Sequence, residues 1–600
     1  MAKAEKPKGS VVVRGGRVID VDTETIIQAD IVIRDGLIEA VYPDGIGTPT
    51  EPGLTTVDAT GKYVAPGFID AHVHIESSML SPLEFATQAM RRGTTAMFID
   101  PHDAANVRGR DGITYLLEQA DLAPCDIHVA VPSCVPGTDW EDSGATITVD
   151  DVRDLIVDPR VYGLGEMKNW AAVIDGTGDS RAKVDLSLAA GKLVDGHCPK
   201  LTGDALIAYA TNGYNDGLLR ISSDHECASG KEALERIRIG MMVAIREGTA
   251  NRDMSRIIPF LIAADMETLD SAMFCSDDLD VEDLLRDGHL DRILRRAIAL
   301  MTGKGGLTAE AAAIRAIRMA TRNPARHFRQ SMAFADRPGF GEIDYGFKGD
   351  LVVFNSLRDV AVEKVIVNGL VMYGGEADYQ PGEVDASKFK ATMNVGRRVT
   401  AKDFAVTSPR ARGEVNVRCM TVREHSLVTT AETVALAIRY GQIETSLSGD
   451  VAKVAVLERY HATGTKGLGF VHGFGLHRGA IASTVAHDSH NLIVVGTDDQ
   501  SMADAANTVI EMGGGMAIVD LGEVVKLPLP LGGLMIGGST AALVRAKAEL
   551  RNKARDMGSR LQDPFTTLSF LSMPAIPDLK LTNRGLIDVK KGAIVELLVS

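Results

Sequence analysis

The sequence predicts an α/β protein built on a (β/α)8 barrel, with a small β-sandwich made from both flanks and a C-terminal α+β domain. Three observations predict it. Between residues 67 and 278, eight short apolar runs alternate with helical stretches, and polar residues gather at the C-terminal end of the runs. Branched apolar residues broken by Gly- and Asp-containing turns occur on both sides of that region, at 11–65 and again at 341–374. The remainder, 385–600, mixes strand and helix textures without a second barrel.

The leader MAKAEKPKGS has no apolar h-region, so no secretion signal is expected. VVVRGGRVID, ADIVIRDGLIEAVYP and TTVDATGKYVAPG read as short antiparallel strands. The eight barrel runs are GFIDAHVHI, TTAMFIDPH, DIHVAVPS, VYGLGEM, KLVDGHC, LLRISSDH, GMMVAIREG and SAMFCSDD. SPLEFATQAMRRG and GKEALERIRIG, lying between runs, have helical spacing and a closing Gly. GEIDYGFKGDLVVFNS and VEKVIVNGLVMYGG return to the first texture, as if one β unit were interrupted by the barrel. EADYQPGEVDASKFK reads as a linker. The expected domains are 1–66 with 336–382, 67–335, and 383–600.

Composition narrows the function. With 45% hydrophobic residues in 600, the chain buries large cores and is not a disordered protein. Its net charge of −16 argues against binding to nucleic acid or to an anionic membrane surface. Six cysteines with no C-x-x-C pair exclude a disulfide framework, a zinc ribbon and a thioredoxin-type motif, and suit reduced thiols in a cytoplasmic enzyme. No apolar run reaches the roughly 18 residues a membrane helix needs.

His72-Val73-His74 ends the first barrel run. Residues two apart on a strand face the same side, so both imidazoles can address one metal from the barrel mouth. Glu166, His197, His225 and Asp277 end the fourth, fifth, sixth and eighth runs. These six ligands suffice for two divalent ions sharing a carboxylate, an arrangement that clamps a bridging hydroxide and makes it a nucleophile near neutral pH. The bland alternative is a scatter of polar barrel residues. The donors are all nitrogen and oxygen, which suits iron(II), manganese or zinc.

Other polar residues at run ends carry two readings each. Asp100 and His102 are candidate catalytic groups, or an N-cap and a structural histidine. Glu76, Ser77 and Ser78 are candidate substrate contacts or ordinary helix-entry chemistry. Arg246 and Glu247 are candidate substrate contacts or an ion pair. Asp278 is a relay or a helix cap. His487-Asp488-Ser489-His490-Asn491 is a further metal site, a substrate-contacting loop or a structural loop. His472 and His477 lie in a Gly-rich turn whose signal is weak.

The motifs GFIDAHVHIESSML, FIDPHDAANVRG, GLGEMKNW, DGHCPKLTG, SSDHE, GMMVAIREGTANRD, CSDD, AHDSHNLIVVGTDD and LPLGGLM together resemble the amidohydrolase superfamily, and within it the prokaryotic adenine deaminases. The resemblance runs almost end to end. It implies hydrolysis of adenine to hypoxanthine and ammonia in purine salvage, by a homodimer or larger assembly. It also implies two divalent ions, Mn2+ or Fe2+. His72 and His74 would bind the more buried ion, Glu166 would bridge, and His197 and His225 would bind the second. Asp277 would ligate the first ion and shuttle the proton, taking it from the water and returning it to departing ammonia. Lys168, two residues past Glu166, is a rival bridge as a carbamate. Asp103 departs from the Glu that the family pattern suggests there.

The single-zinc cytidine-deaminase solution is excluded, because its P-C-x-x-C is missing. The alternatives are a cyclic-amide or N-acyl hydrolase on the same scaffold, a deaminase of a modified adenine, and a noncatalytic relative. Retention of all six ligands argues against the last.

Overall fold

A computed structural model describes residues 6–51, 54–376, 378–382, 385–390, 393–423, 426 and 428–599. The first five residues of the leader and the domain boundary expected at 383 lie outside them. The chain divides into two compact units. The first comprises Met1–Pro101, Thr114–Cys134 and Thr148–Glu383, and the second His102–Ile113, Val135–Ile147 and Val384–Ser600.

In the first unit the two flanks form one eight-stranded sheet. Its joint is Leu351–Phe354, which pairs antiparallel with Tyr63–Pro66. All eight strands hydrogen-bond in series or as a branch, so what the sequence suggested as a sandwich is a single sheet. A register shift between Val13 and Gly16 breaks the strand Val11–Asp20 into two halves. The first half pairs with Thr55–Asp58 and the second with Tyr63–Pro66. Gly15 sits at that break with φ 66°, a left-handed conformation that costs glycine little. Val11, Val13, Ile31, Ile33, Val353 and Ile366 pack together as its core.

All eight barrel runs contain parallel strands. Phe68–His74, Thr94–Ile99, Asp126–Val131, Val161–Met167, Leu193–Gly196 and Asp277–Asp278 share one sheet, and Ser223–Asp224, Met242–Arg246 and Ala272–Cys275 a second. Two links connect these sheets. The backbone N–H of Ser222 donates to Val194 O at 3.1 Å, and Ala272–Cys275 continues into Asp277–Asp278. That last strand pairs with the first, Asp277 opposite Val73. Val161–Met167 is buried at every position, as expected of a parallel strand covered on both faces. The sixth run is shorter than its composition suggests. Leu218 and Leu219 are exposed in a loop, and only Ser223–Asp224 is a strand. The helices start where their caps predict. Ser81 accepts from Glu84 N ahead of Pro82–Met90, and Ser229 from Glu232 N ahead of Gly230–Arg238.

The second unit is β-rich rather than evenly mixed. Nine strands between Arg412 and Pro528 form one sheet, against which the helix Asp499–Glu511 packs through Met502, Ala503, Ala506 and Val509. Leu579–Thr582, Gly585–Asp588 and Ala593–Val595 form a smaller sheet. His102–Ile113 and Val135–Ile147, which lie between parallel strands of the first unit in sequence, pack with this unit. Gly144 N donates to Asn106 O, and Asn491 Nδ2 to Asp142 O. Among the described residues no helix is long and apolar enough to cross a membrane.

Candidate metal centre

In the first unit the six expected ligands converge. Two donor groups, His72–His74–Glu166 and Glu166–His197–His225, each keep their ligand atoms within 4.8 Å of one another. Glu166 is common to them, as a carboxylate shared by two cations must be. Its Oε1 lies 3.8 Å from His74 Nε2, and its Oε2 3.2 Å from His225 Nε2 and 2.6 Å from His197 Nδ1. Asp277 Oδ1 closes the other side, 3.5 Å from His74 Nε2 and 3.9 Å from His72 Nε2. The Asp277 backbone has φ 56°, a left-handed conformation that is strained for a residue with a Cβ.

The donor set fits divalent cations. His74 Nδ1 lies 2.9 Å from Asp100 O, and a carbonyl can only accept, so Nδ1 carries the proton. That leaves the Nε2 lone pair directed at the cluster, 3.1 Å from His72 Nε2. Burial, with His225 and His74 alongside, holds His72 well below its usual pKa, so it is neutral as a metal ligand must be. Burial disfavours charge on His225 as well, but the Glu166 carboxylate outweighs it and pushes that pKa up to about 9. In the metal-free protein a proton on His225 thus neutralises Glu166 in place of a cation. Burial opposes ionisation of Asp277, yet His74, Arg246 and His225 hold its carboxyl well below the usual range.

Residues 63–372 match the amidohydrolase family, and residues 426–593 the adenine deaminase C-terminal domain. The chain is 38% identical over 598 residues to an adenine deaminase of Methanothrix thermoacetophila, covering 99% of this chain and 97% of that relative. The chain belongs to the adenine deaminases of the amidohydrolase family. It is also 37% identical over 599 residues to the adenine deaminase of Moorella thermoacetica, covering 99% and 96% of the two chains. With that of Nitratidesulfovibrio vulgaris it shares 39% over 585 residues, covering 97% and 95%. Among solved structures it is similar to a beta-aspartyl dipeptidase of Fervidobacterium islandicum AW-1, with a TM-score of 0.44 and 16% identity over 63% of this chain and 100% of that one.

The other residues singled out in the sequence occupy varied positions. Asp100 Oδ2 accepts from Glu166 N at 2.7 Å, and its carbonyl holds His74. A Cβ at Gly165 would meet that carboxylate at 2.2 Å, so glycine lets Asp100 reach the strand. Lys168 Nζ lies 3.0 Å from Glu166 Oε1. Glu76 is buried in the turn Ile75–Ser78 that follows His74, and Ser77 Oγ donates to Asp278 Oδ1. Arg246 is buried in ion pairs with Glu226 and Asp253, and its Nη1 lies 3.7 Å from Asp277 Oδ2. The Glu247 carboxylate pairs with Arg296 of the helix Leu290–Met301. Glu226 was not singled out in the sequence. Its Oε1 lies 3.7 Å from His225 Nε2 and 3.9 Å from His197 Nδ1. Its place next to His225 in SSDHE was the available signal.

The second unit gathers His102, His487 and His490 around Asp103. His490 Nε2 lies 2.8 Å from Asp103 Oδ1, His102 Nδ1 3.0 Å and His487 Nδ1 3.6 Å. Burial disfavours charge on Asp103, but the three imidazoles hold its carboxyl well below the usual range. Here the wiring is reversed. Ala486 N–H donates to His490 Nδ1 at 3.2 Å, so Nδ1 has no proton and the neutral ring carries it on Nε2, facing Asp103. Arg459 Nε donates to His490 O, and Tyr460 OH to Ser489 O, fixing the loop. Asp488 is buried in the same loop, and the half-buried His472 pairs with Glu432.

Proposed function

We propose that this chain deaminates adenine to hypoxanthine and ammonia. His72, His74, Glu166, His197, His225 and Asp277 would hold two divalent cations, Mn2+ or Fe2+, with zinc a workable substitute for this donor set. The observation that carries the reading is Glu166, common to two histidine groups, in a chain that matches adenine deaminases over nearly its whole length. Bound cations would supply Lewis acidity and lower the pKa of a water toward neutrality.

The chain's own groups do the remaining work. Asp277 Oδ1 faces the histidine pair while Oδ2 faces Arg246, so the carboxylate is held ionised and ready to accept a proton. It takes that proton as the nucleophile adds at C6 of the purine and delivers it to the departing amine. Asp100 acts as a positioning group through Glu166 and His74. His102 is a catalytic candidate, and Glu76, Ser77, His487, Asp488 and His490 are substrate-contact candidates, from their places at strand ends and in a dense polar loop. Arg246 orients Asp277, and Glu247 supports the adjoining helix. Glu166 as the bridge is favoured by its place in both histidine groups, with Lys168 3.0 Å away as the rival.

We further infer that the two parallel sheets close as one (β/α)8 barrel over 67–335, flanked by the domain 1–66 with 336–382 and followed by 383–600. The Ser222–Val194 hydrogen bond and the pairing of Asp277 with Val73 support closure. A dimer follows from the family resemblance and a cytoplasmic setting from the six unpaired cysteines, and light scattering checks the first.

Anaerobic purification after manganese-supplemented growth, followed by an adenine assay, tests the function. Hypoxanthine and ammonia in equal amounts are expected, with loss of activity on chelation. Metal-loaded protein that leaves adenine untouched while turning over modified adenines or cyclic amides would overturn the substrate assignment.

A further inference from the structure

The two strands that carry His72, His74 and Asp277 lose regular pairing where they present these ligands. Along Phe68–His74, the register against Thr94–Ile99 shifts between Asp70 and Val73. On the eighth run, Ser276 separates Ala272–Cys275 from Asp277–Asp278, and Asp277 turns left-handed with φ 56°. Such breaks take backbone N–H groups out of the ladder, and buried N–H groups need another acceptor.

Asp70 supplies it. The residue is completely buried, and its Oδ1 accepts from His72 N at 3.3 Å and from Ser276 N at 3.0 Å. Its Oδ2 accepts from Ser276 Oγ at 2.5 Å. His289, also completely buried, places Nε2 3.0 Å from that Oδ2 and Nδ1 2.7 Å from Thr94 Oγ1 on the second strand. One carboxylate therefore ties the break in the first strand to the break in the eighth, and His289, hydrogen-bonded to Thr94 of the second, packs against it.

We infer that Asp70 is a positioning residue that sets the separation and orientation of the histidine pair and Asp277, with His289 as its brace. The inference rests on the metal reading above. Asparagine has nearly the same shape but only one acceptor oxygen. With that oxygen on the His72 and Ser276 N–H donors, its NH2 meets the Ser276 hydroxyl, which must turn to accept, and the negative charge shared by all three contacts is gone. The ligand-bearing strands then lose part of their tie while every metal ligand is retained.

The test is titration of Co2+ into chelator-stripped wild type, Asp70→Asn and Ser276→Ala, following the visible absorption of the bound ion. In Asp70→Asn we expect a changed spectrum and affinity lower by about 10–100-fold, the range for loss of a partner behind a metal ligand. We also expect kcat to fall while KM for adenine stays. Ser276→Ala removes one donor and keeps the charge, so it shifts the same readouts by a few-fold, and it decides the matter if Asp70→Asn does not fold. Wild-type affinity and spectrum in the folded variants, whatever their melting temperature or activity, would overturn the inference. Wild type that binds no Co2+ would overturn the metal reading and the inference with it.

Discussion

His74 and His490 each lie buried among imidazoles and a carboxylate, one in the first unit and one in the second. At His74 the remote ring nitrogen donates to the Asp100 carbonyl, which leaves a lone pair facing the cluster. At His490 the remote nitrogen accepts from Ala486 N–H, which leaves a proton facing Asp103. The first arrangement turns a lone pair toward its cluster, and the second places an N–H rather than a lone pair beside Asp103, although Asp103, His487 and His490 also keep ligand atoms within 4.8 Å of one another. Residue types alone do not separate these two groups. The partner of the distant nitrogen separates them.

The sharpest way to break this comparison is Glu166→Ala, which removes the carboxylate common to the two histidine groups. We expect adenine turnover to fall by more than about 100-fold, above the range for indirect supports, and metal content to drop below that of wild type in elemental analysis. Asp277→Asn comes next. It keeps an oxygen toward the site but cannot take a proton, so kcat falls by about 10²–10⁴-fold, the span of general acid–base catalysis. Near-normal kcat in that variant would remove Asp277 from proton transfer.

Proton competition at His225 gives a third prediction. Its pKa in the metal-free protein is about 9, raised above the usual value by Glu166 against the effect of burial. Cations and this proton exclude one another, so apparent metal affinity rises with pH and levels off near the folded-state pKa. Below it, affinity changes by about tenfold per pH unit for one displaced proton. The same raised pKa stabilises the metal-free fold fully below the unfolded value. That contribution is lost as pH rises through about 9. Chelator-competition titrations at several pH values check the slope and its sign.

The smallest expected effect is in the second unit. His490→Gln leaves metal content unchanged and costs about 1–3 kcal/mol of stability, the penalty for disturbing a buried hydrogen-bonded group, measured by denaturant unfolding of the full chain.

Much of the first cluster was legible because strand geometry is regular. His72 and His74 share a strand face by parity, and the alternation of apolar runs with helices indicated where the other four ligands fall. Strict parity in FIDAHVH would put Asp70 on that face too, but the register shift between Asp70 and Val73 breaks the parity, so residue spacing did not reveal its contact with Ser276. Arg246 was visible as a charged residue at a strand end, but its choice of Glu226 and Asp253 depends on how loops fold back. The short sixth strand was masked by Leu218 and Leu219, whose apolar character did not reveal that they are exposed. The grouping of Asp103 with His487 and His490 was least legible. It joins residues nearly 400 positions apart through a segment that reads locally like any barrel connection.

Metal stoichiometry tests the central claim most directly. Chelator-stripped wild type, His74→Ala and His490→Gln would be reloaded anaerobically with Mn2+, freed of excess and analysed for metal per chain. The account predicts about two ions in wild type and in His490→Gln, as a two-metal site requires, and fewer in His74→Ala. A third ion that disappears with His490→Gln, or full metal content in His74→Ala, would contradict it.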